Sequence, residues 1–321
     1  MKNGKQFLTN SFSPQLLKFL EDTCIFFQPW WLEAVSPGHW GYAVTKRGDD
    51  IVGVLPYTYK TRLGKYHLQD LPLVFSYLGP WIKNGTAKYS RNMSEEKQIM
   101  TELINKLPEF AVFNQWFHPS ITNWLPFYWN NFVQTTRYTY VIEASKRIEE
   151  IWNGTRANIR TDVRKAQNIL SVVEEKDVSR FLELEQKTFQ YQGLQLPFPE
   201  EMIKRIDDEC RKRDVRKILL AEDNKGRAHA GVYIVWDNFT VYSILRGSDP
   251  QLRNSGANSL LVWKAIESAI SMNKNFDFSG SWNEPIERFI LAFGARQVPF
   301  FEVTKTSSKL VKVYRAIRKF I

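Results

Sequence analysis

The stretch AVTKRGDDIVGVLPYTY (residues 43–59) returns in altered form as LAEDNKGRAHAGVYIVW (residues 220–236). In the two segments Gly48 aligns with Gly226, and Gly53 aligns with Gly231. Each segment has strand-like residues on both sides of a polar turn that contains glycine, which is the pattern of a β-hairpin. A hairpin that occurs twice, about half a chain apart, predicts a duplicated domain.

The segments that follow the two hairpins extend this repeat in the same order. VFSYLGP (74–80) corresponds to VYSILRG (241–247), and each is followed by a helical segment, 94–107 or 256–271. An aromatic strand comes next, AVFNQW (111–116) or FDFSGSW (276–282), and the copies end in the strands 136–143 and 298–305. The sequence therefore predicts two α/β domains, each a mixed β-sheet flanked by helices, with residues 1–145 and 146–321 as their bounds.

Composition excludes several classes of protein. The chain of 321 residues has two cysteines and four histidines, without a C-x-x-C or H-E-x-x-H spacing, so we expect neither disulfides nor a metal site. The first 20 residues lack the apolar core of a signal peptide, and no stretch is long and apolar enough to span a membrane. These observations favour the cytoplasm as the location.

The positive charge is concentrated in the second half of the chain. Residues 1–145 carry 14 Lys and Arg against 11 Asp and Glu, whereas residues 146–321 carry 30 against 23, and the net charge is +10. From Ser308 onward, apolar residues at helical spacing predict a basic amphipathic helix, which would pack on the first domain or contact RNA or a membrane surface. The excess predicts an anionic partner, although solubility alone would also explain it.

Two further motifs carry a resemblance to a known family. The closing segment FDFSGSWNEPIERFILAFGARQVPFFEV has Asp277, Phe278, Gly280, Ser281, Phe289, Phe293 and Gly294 in a "DF-GS … F---FG" arrangement. With the helix TRANIRTDVRKAQ (155–167), this segment resembles the tandem-GNAT, Fem-type aminoacyl transferases and their acetyltransferase-like relatives. The resemblance implies two GNAT-like domains in tandem and an activated donor, either acyl-CoA or aminoacyl-tRNA. The helical hairpin that some Fem proteins insert, and that is thought to serve tRNA binding, has no counterpart here.

The resemblance also implies a donor site at the segment RGSDPQLRNSGANSLLVWKAIESA (246–269). In a GNAT domain the loop and helix start after the fourth strand bind the coenzyme A pyrophosphate, since free N–H groups and the helix dipole converge there. The candidate residues are Arg246, Arg253, Ser255, Gly256 and Asn258. Asn258 stands where the family has a small residue. A plain capped helix is the alternative interpretation. In the first domain the corresponding helix is expected to begin at Ser94-Glu95-Glu96, where acidic residues would repel a phosphate, so no cofactor is expected there.

A second candidate anion site is a stripe of arginines. Arg156, Arg160 and Arg164 recur every four residues on one helix face, with no Asp or Glu three or four positions away from any of them. Unrelieved like charges at this spacing indicate either an external anion or a solvated basic face.

Acyl transfer to an amine needs a base and donors for the oxyanion. In the GNAT fold a backbone amide of the splayed fourth strand serves the carbonyl, which here points to the amides from Ile244 to Arg246. Asp277, Glu287 and Glu185 are the candidate bases and Tyr242 is a candidate general acid. Structural roles, such as a core aromatic for Tyr242, are the alternatives. The segment KTFQYQGLQLPFP (187–199) is expected to be a substrate loop.

The sequence therefore favours an N-acyl or aminoacyl transferase that acts on an amine acceptor such as a cell-wall or sugar-linked precursor. A catalytically silent tandem-GNAT protein that binds RNA or another anionic partner is the alternative. An oxidoreductase is disfavoured, because no G-x-G-x-x-G follows a strand.

Overall fold

A computed structural model describes residues 13–62, 64–69, 77–83, 85–280 and 283–307. These residues form two compact units, with residues 138–298 in the second and the others in the first. The boundary thus falls inside a strand rather than at residue 145, and the closing strand is shared, because its residues from Pro299 pair within the first unit. The amphipathic helix expected from Ser308 lies outside the described residues.

The first unit is a mixed sheet with helices. Its helices are α1 (Pro14–Glu21), α2 (Pro29–Val35), α3 (Tyr89–Asn105) and α4 (Leu125–Trp129). Its strands are β1 (Trp40–Arg47), β2 (Asp50–Arg62), β3 (Lys65–Gln69), β4 (Trp81–Ile82) and β5 (Phe110–Trp116), with part of β6 (Val133–Ile142) and most of β12 (Arg296–Thr306). The strand order is β1-β2-β3-β5-β12, and β4 pairs with β2. Of these pairs, only β3 with β5 is parallel.

The second unit has the same mixed character. Its helices are α5 (Ile148–Gly154), α6 (Ala157–Gln167), α7 (Val178–Tyr191), α8 (Glu200–Lys212), α9 (Ala257–Ser271) and α10 (Glu284–Leu291). Its strands are β7 (Ser171–Glu175), β8 (Arg216–Glu222), β9 (Ala228–Trp236), β10 (Thr240–Ser248) and β11 (Asn275–Asp277). The order is β6-β11-β10-β9-β8-β7, with β10 and β11 the parallel pair.

Each unit has its own apolar core. In the first unit, Ile99 and Leu103 of α3 pack with Leu55, Phe113 and Phe127. In the second unit, one face of the sheet packs against α5, α6, α9 and α10 in a cluster that includes Val163, Leu260 and Phe276. The mixed α/β class predicted from the sequence is confirmed.

The repeated hairpins are β1–β2 and β8–β9, and their aligned glycines have matching roles. Gly48 and Gly226 lie in the turns with φ of +60° and +73°, a conformation that glycine adopts without strain. Gly53 and Gly231 lie under a helix. A Cβ would come within 2.6 Å of Ile99 on α3 at Gly53, and within 2.8 Å of Phe181 on α7 at Gly231. In each unit, therefore, the second glycine lets a helix lie close to the sheet.

Candidate active site

Strands β10 and β11 diverge after a short parallel pairing. Thr240, Val241 and Tyr242 pair with residues 275–277, after which β11 ends while β10 continues to Ser248. The register between β10 and β9 shifts between Ser243 and Leu245, so Ile244 is the extra residue of a β-bulge. The edge of β10 beyond Tyr242 therefore has no described strand beside it on the β11 side.

Helix α7 covers this free edge. Thr188 Oγ1 accepts from the Ser248 amide (2.8 Å) and donates to the Ser248 carbonyl (3.0 Å), whereas the Asp249 amide bonds to His229 on β9 (2.9 Å). Because successive amides of a strand point to opposite sides, the amide of Arg246 points to the open side with that of Ser248. The Arg246 amide lies close enough to the Glu185 carboxylate to lower its pKa. Glu185 and Thr188 thus face the amides of Arg246 and Ser248 along this edge.

Close packing fixes α7 in this position. Gly247 lies directly under α7, where a Cβ would be 2.7 Å from the Glu185 amide nitrogen and 2.8 Å from the Leu184 carbonyl carbon. Any other residue at position 247 would push the helix away from the strand. The glycine therefore sets how deeply Glu185 enters the opening between β10 and β11.

The Glu185 carboxyl is almost fully buried, at 3% exposure. Burial raises its pKa to about 7, and the Arg246 amide and guanidinium oppose that rise. A carboxyl with a pKa near the working pH can both accept and release a proton, as a general base must. Of the three candidate bases, Glu185 is the one with these properties at the strand edge.

The predicted donor loop is closely covered by α6. Gly256 has φ +80°, and a Cβ there would be 2.5 Å from the Asp162 carbonyl oxygen. The Ser259 hydroxyl, in the first turn of α9, lies 3.4 Å from the Asp162 carboxylate. Lys165 donates to the carbonyl of Asn254 (2.8 Å). The Asp162 carboxylate beside the start of α9 opposes a phosphate at that helix end, whereas the Lys165 ammonium, bonded to the same loop, favours one.

The other predicted donor residues lie around the same loop. Ser255 is buried, and its hydroxyl accepts weakly from the Ala257 amide (3.4 Å), as in the capping interpretation. Arg253 is exposed and stacks over Tyr191 at 5.8 Å, and Asn258 is half-buried. Arg246 lies apart from them, on β10, with a half-buried side chain.

The arginine stripe is largely used within the fold. Arg160 donates to the carbonyls of Trp152, Asn153 and Thr155 at the end of α5, at 2.7 to 3.3 Å. The guanidinium of Arg164 lies over the Trp152 ring at 5.6 Å. Arg156 precedes α6 with an exposed side chain. The cation stripe thus ties α6 to α5, and this packing explains two of its three members without an external anion.

Asp277 is a buried residue that holds a turn. Its Oδ1 accepts from the Thr139 hydroxyl (2.5 Å) and from the Ser279 amide (2.7 Å). Ser279 and Gly280 both have positive φ, and a Cβ at Gly280 would be 2.6 Å from the Tyr138 carbonyl oxygen. These contacts give Asp277 a structural role in shaping the chain after β11. Ser281 of the same motif lies outside the described residues.

Tyr242 and Glu287 do not meet Glu185. The Tyr242 hydroxyl donates to Asp237 (3.0 Å), at the turn end of β10, about 20 Å along the strand from Ser248. Glu287, on α10, accepts from the Tyr140 hydroxyl (2.8 Å), and Gln297 donates to the same hydroxyl (2.9 Å). The structure brings Glu185 and Arg246 together, but it does not bring Tyr242 to them.

The expected acidic helix start in the first unit is wrong. Helix α3 begins at Tyr89 with no acidic residue in its first turn. Ser94, the expected first residue, lies inside the helix, where its hydroxyl donates to the Ser90 carbonyl one turn earlier. Asn92 fills the preceding loop, with bonds to the backbone of Gly85 and Ala87 at 2.9 to 3.1 Å. Of these three bonds, only the one that Asn92 accepts from the Ala87 amide uses a backbone donor that could otherwise bind an anion.

Two cavities are formed away from the strand opening. One, of about 360 Å³, lies beside the start of α7 and is lined by residues that include Lys176, Lys204 and Arg211. The other, of about 300 Å³, lies in the first unit beside Val52 and Glu95. Within the described ranges, no three His, Cys, Asp or Glu side chains could together hold a metal ion. No helix in the described part of the chain is long and apolar enough to cross a membrane.

Comparison with known proteins agrees with this architecture. Residues 153–283 match the family described as acetyltransferase (GNAT) domain, and this range includes α7, β10 and α9. The second unit is therefore a GNAT domain, and the chain as a whole has the tandem GNAT fold. No curated protein sequence matches the chain.

Solved structures with the same fold span nearly the whole chain. The crystal structure of FemX is similar with a TM-score of 0.63 and 13% identity, over 91% of this chain and 96% of that one. The C-terminal domain of a putative lysylphosphatidylglycerol synthetase from Agrobacterium fabrum gives 0.56 and 7%, over 94% and 93%. A tandem GNAT protein from the clavulanic acid biosynthesis pathway gives 0.55 and 10%, over 92% and 94%. At these identities the likeness shows the fold.

Sequence reasoning missed the contacts that α7 makes with β10. The stretch 187–199 was expected to be a loop, but α7 continues to Tyr191, and Thr188 on its last turn holds the strand edge. Glu185 and Thr188 are three residues apart and so face the same way on a helix. This polar pair on an otherwise apolar face was the available signal.

Proposed function

We propose that the chain is an N-acyltransferase whose second unit carries the reaction in the opening between β10 and β11, with Glu185 as the base. The observation that supports it is the buried Glu185 carboxyl, whose pKa is raised to about 7 and which lies beside the Arg246 amide on the part of β10 that follows its pairing with β11. An opening of this kind places a base beside strand amides that can stabilise an oxyanion.

The reaction follows from these groups. The acceptor amine attacks the donor carbonyl, and Glu185 takes a proton from its nitrogen as the C–N bond forms. The bond from the carbonyl carbon to the leaving oxygen or sulfur then breaks, and the leaving group departs with the proton that Glu185 took up, which restores the carboxylate. Because the Arg246 amide faces Glu185, we assign the amide that faces the oxyanion to the bulge residue Ile244.

Of the two donors that the resemblance implies, an aminoacyl-tRNA fits better than acyl-CoA. Asp162 lies beside the start of α9, where a GNAT domain would bind pyrophosphate. Glu185 and Thr188 also occupy the amides that an extended thioester donor would need along β10. The phosphates of a tRNA do not depend on either feature, and the net charge of +10 suits a polyanion.

A transfer assay tests this proposal. The full chain would be incubated with ¹⁴C-labelled aminoacyl-tRNA or [¹⁴C]acetyl-CoA and a panel of amines that includes lysyl peptides and amino sugars. We expect label in an amide product from aminoacyl-tRNA, loss of product with Glu185→Gln, and retention with Glu183→Gln, an exposed neighbour on α7. No product with either donor, together with salt-sensitive RNA binding, would support the catalytically silent alternative.

A further inference from the structure

Two polar side chains on one face of β10 have buried atoms without partners. Ser243 lies opposite Ile234 and Arg246 lies opposite Val232, and both of these partners belong to the core beneath α6 and α9. Because directly opposite residues share a face of a sheet, Ser243 and Arg246 also share this face. Among the described residues, neither Ser243 Oγ nor Arg246 Nη1 has a hydrogen-bond partner.

The charge on Arg246 is not balanced nearby. Within the described part of the chain, no carboxylate oxygen forms an ion pair with its guanidinium, although Glu185 acts on it electrostatically at longer range. Burial lowers the pKa of Arg246 to about 10, which still leaves it charged at neutral pH. A buried polar group without a partner is costly, so it usually indicates a ligand or a catalytic role.

The chemistry of the two free groups favours a carboxylate. A guanidinium nitrogen and a hydroxyl offer two donors, which match the two oxygens of a carboxylate. A phosphate would bring more charge and more oxygens than these two groups can satisfy. Both side chains flank the bulge at Ile244, next to the opening.

We propose that Ser243 and Arg246 bind a carboxylate group of the substrate, so that the amine acceptor or the acyl group carries a free carboxylate close to the reacting atoms. This inference rests on the proposed function, since it names the substrate class of the same opening. Arg246 thereby becomes a residue that determines substrate specificity, in addition to its backbone contact with Glu185.

The test is a binding titration with small probes at constant ionic strength. Glycine and acetate carry the carboxylate with and without an amine, and glycinamide and acetamide have an uncharged amide in place of that carboxylate. For the wild-type chain we expect saturable stabilisation by the carboxylates alone. Arg246→Gln should abolish it, Ser243→Ala should weaken it by about tenfold, and Arg211→Gln, an exposed arginine on α8, should leave it unchanged. If glycine alone binds, the carboxylate belongs to the amine substrate, and if acetate binds equally well, the acyl group can carry it.

Equal effects of carboxylates and amides, or an unchanged effect in Arg246→Gln, would overturn the proposal. The midpoint of thermal unfolding without ligand gives a second readout. Arg246→Met should raise it, because a half-buried cation with an unpartnered buried nitrogen is removed, whereas an arginine with a purely structural role would lower it. Glu185→Gln should lose transfer but keep carboxylate binding, so a failure of Glu185 as the base and a failure of the carboxylate site give different results.

Discussion

Glu185 illustrates how one residue acquires its chemistry from its surroundings. On α7 it follows Leu184, and both are buried. Its carboxyl is therefore moved from water into a setting where the charged form is disfavoured, and its pKa rises to about 7. Glu183, on the exposed side of the same helix turn, has no such setting. The difference between two glutamates on one helix turn lies in burial, which a sequence pattern indicates only once the helix face is known.

The raised pKa of Glu185 predicts a pH dependence of stability. Between about pH 4.5 and 7 the folded chain holds a proton on Glu185 that the unfolded chain has lost, so the free energy of unfolding falls as pH rises through this window. The shift in the pKa of Glu185 corresponds to a pH-dependent contribution of about 3 kcal/mol to the free energy of unfolding. Glu185→Gln should remove this contribution. Urea unfolding from pH 4.5 to 8 measures it, with Glu183→Gln as the control. A pH-independent difference between the wild type and Glu185→Gln would contradict the prediction.

At the level of single residues, the sequence identified the candidates but not their roles. Glu185 was one of three candidate bases, and the sequence favoured Asp277 over it because Asp277 lies in the motif strand. The structure separates them through contacts that are distant in sequence, such as Thr139 with Asp277 and Arg246 with Glu185. Hydrophobic periodicity contains no information on such pairs, so the roles could not be predicted from it.

Among the elements, the packing of α7 on β10 positions the proposed site. The helix reaches the strand through Glu185 and Thr188, and Gly247 provides the space. The hairpins, the long helices and the strand after each helix were predictable, because their apolar periodicity and glycine turns are local. The early start of α3 and the continuation of α7 to Tyr191 were not, because side chains such as Asn92 and Thr188 act through contacts across loops.

Gly247→Ala tests this packing. Its Cβ would meet backbone atoms of α7, which cannot rotate away, so α7 must move from β10. We expect a loss of about 1 to 3 kcal/mol in the free energy of unfolding and a strong fall in transfer activity at temperatures where the chain stays folded. Urea unfolding and the transfer assay measure the two effects.

Gly226→Ala is the matched control for this substitution. It adds the same methyl group at a turn with φ +73° and nothing within 4 Å, so it should cost about 1 kcal/mol and leave transfer unchanged. Equal loss of transfer in both variants would show that the position of α7 is not the cause.

For the whole molecule, the repeat found in the sequence corresponds to the tandem GNAT fold. The uneven distribution of positive charge still favours an anionic donor. The duplicated hairpins were sufficient to predict two domains of one class. They were not sufficient to place the boundary, because β6 and β12 each continue through the division at 137/138 and 298/299. A strand that crosses a boundary leaves no break in composition for the sequence to show.

The charge of the whole molecule and the donor loop together predict which donor binds. Aminoacyl-tRNA should bind the full chain with an affinity that falls steeply as salt rises, since phosphate contacts release counterions. Acetyl-CoA should give no saturable binding, because Asp162 lies beside the start of α9. Isothermal titration at two salt concentrations measures both. Saturable acetyl-CoA binding that Arg253→Gln weakens would contradict this assignment and restore the predicted donor loop.

The pH dependence of the transfer rate tests the role of Glu185 most directly. With aminoacyl-tRNA and the best acceptor of the amine panel, kcat/KM of the wild type should rise with pH through an apparent pKa near 7, as Glu185 becomes able to take the proton. In Glu185→Gln, kcat/KM should fall by about 100-fold or more and should no longer rise with pH. Glu183→Gln should keep the wild-type kcat/KM and its rise with pH. A Glu185→Gln variant with the wild-type rate and the same rising limb would show that Glu185 is not the base.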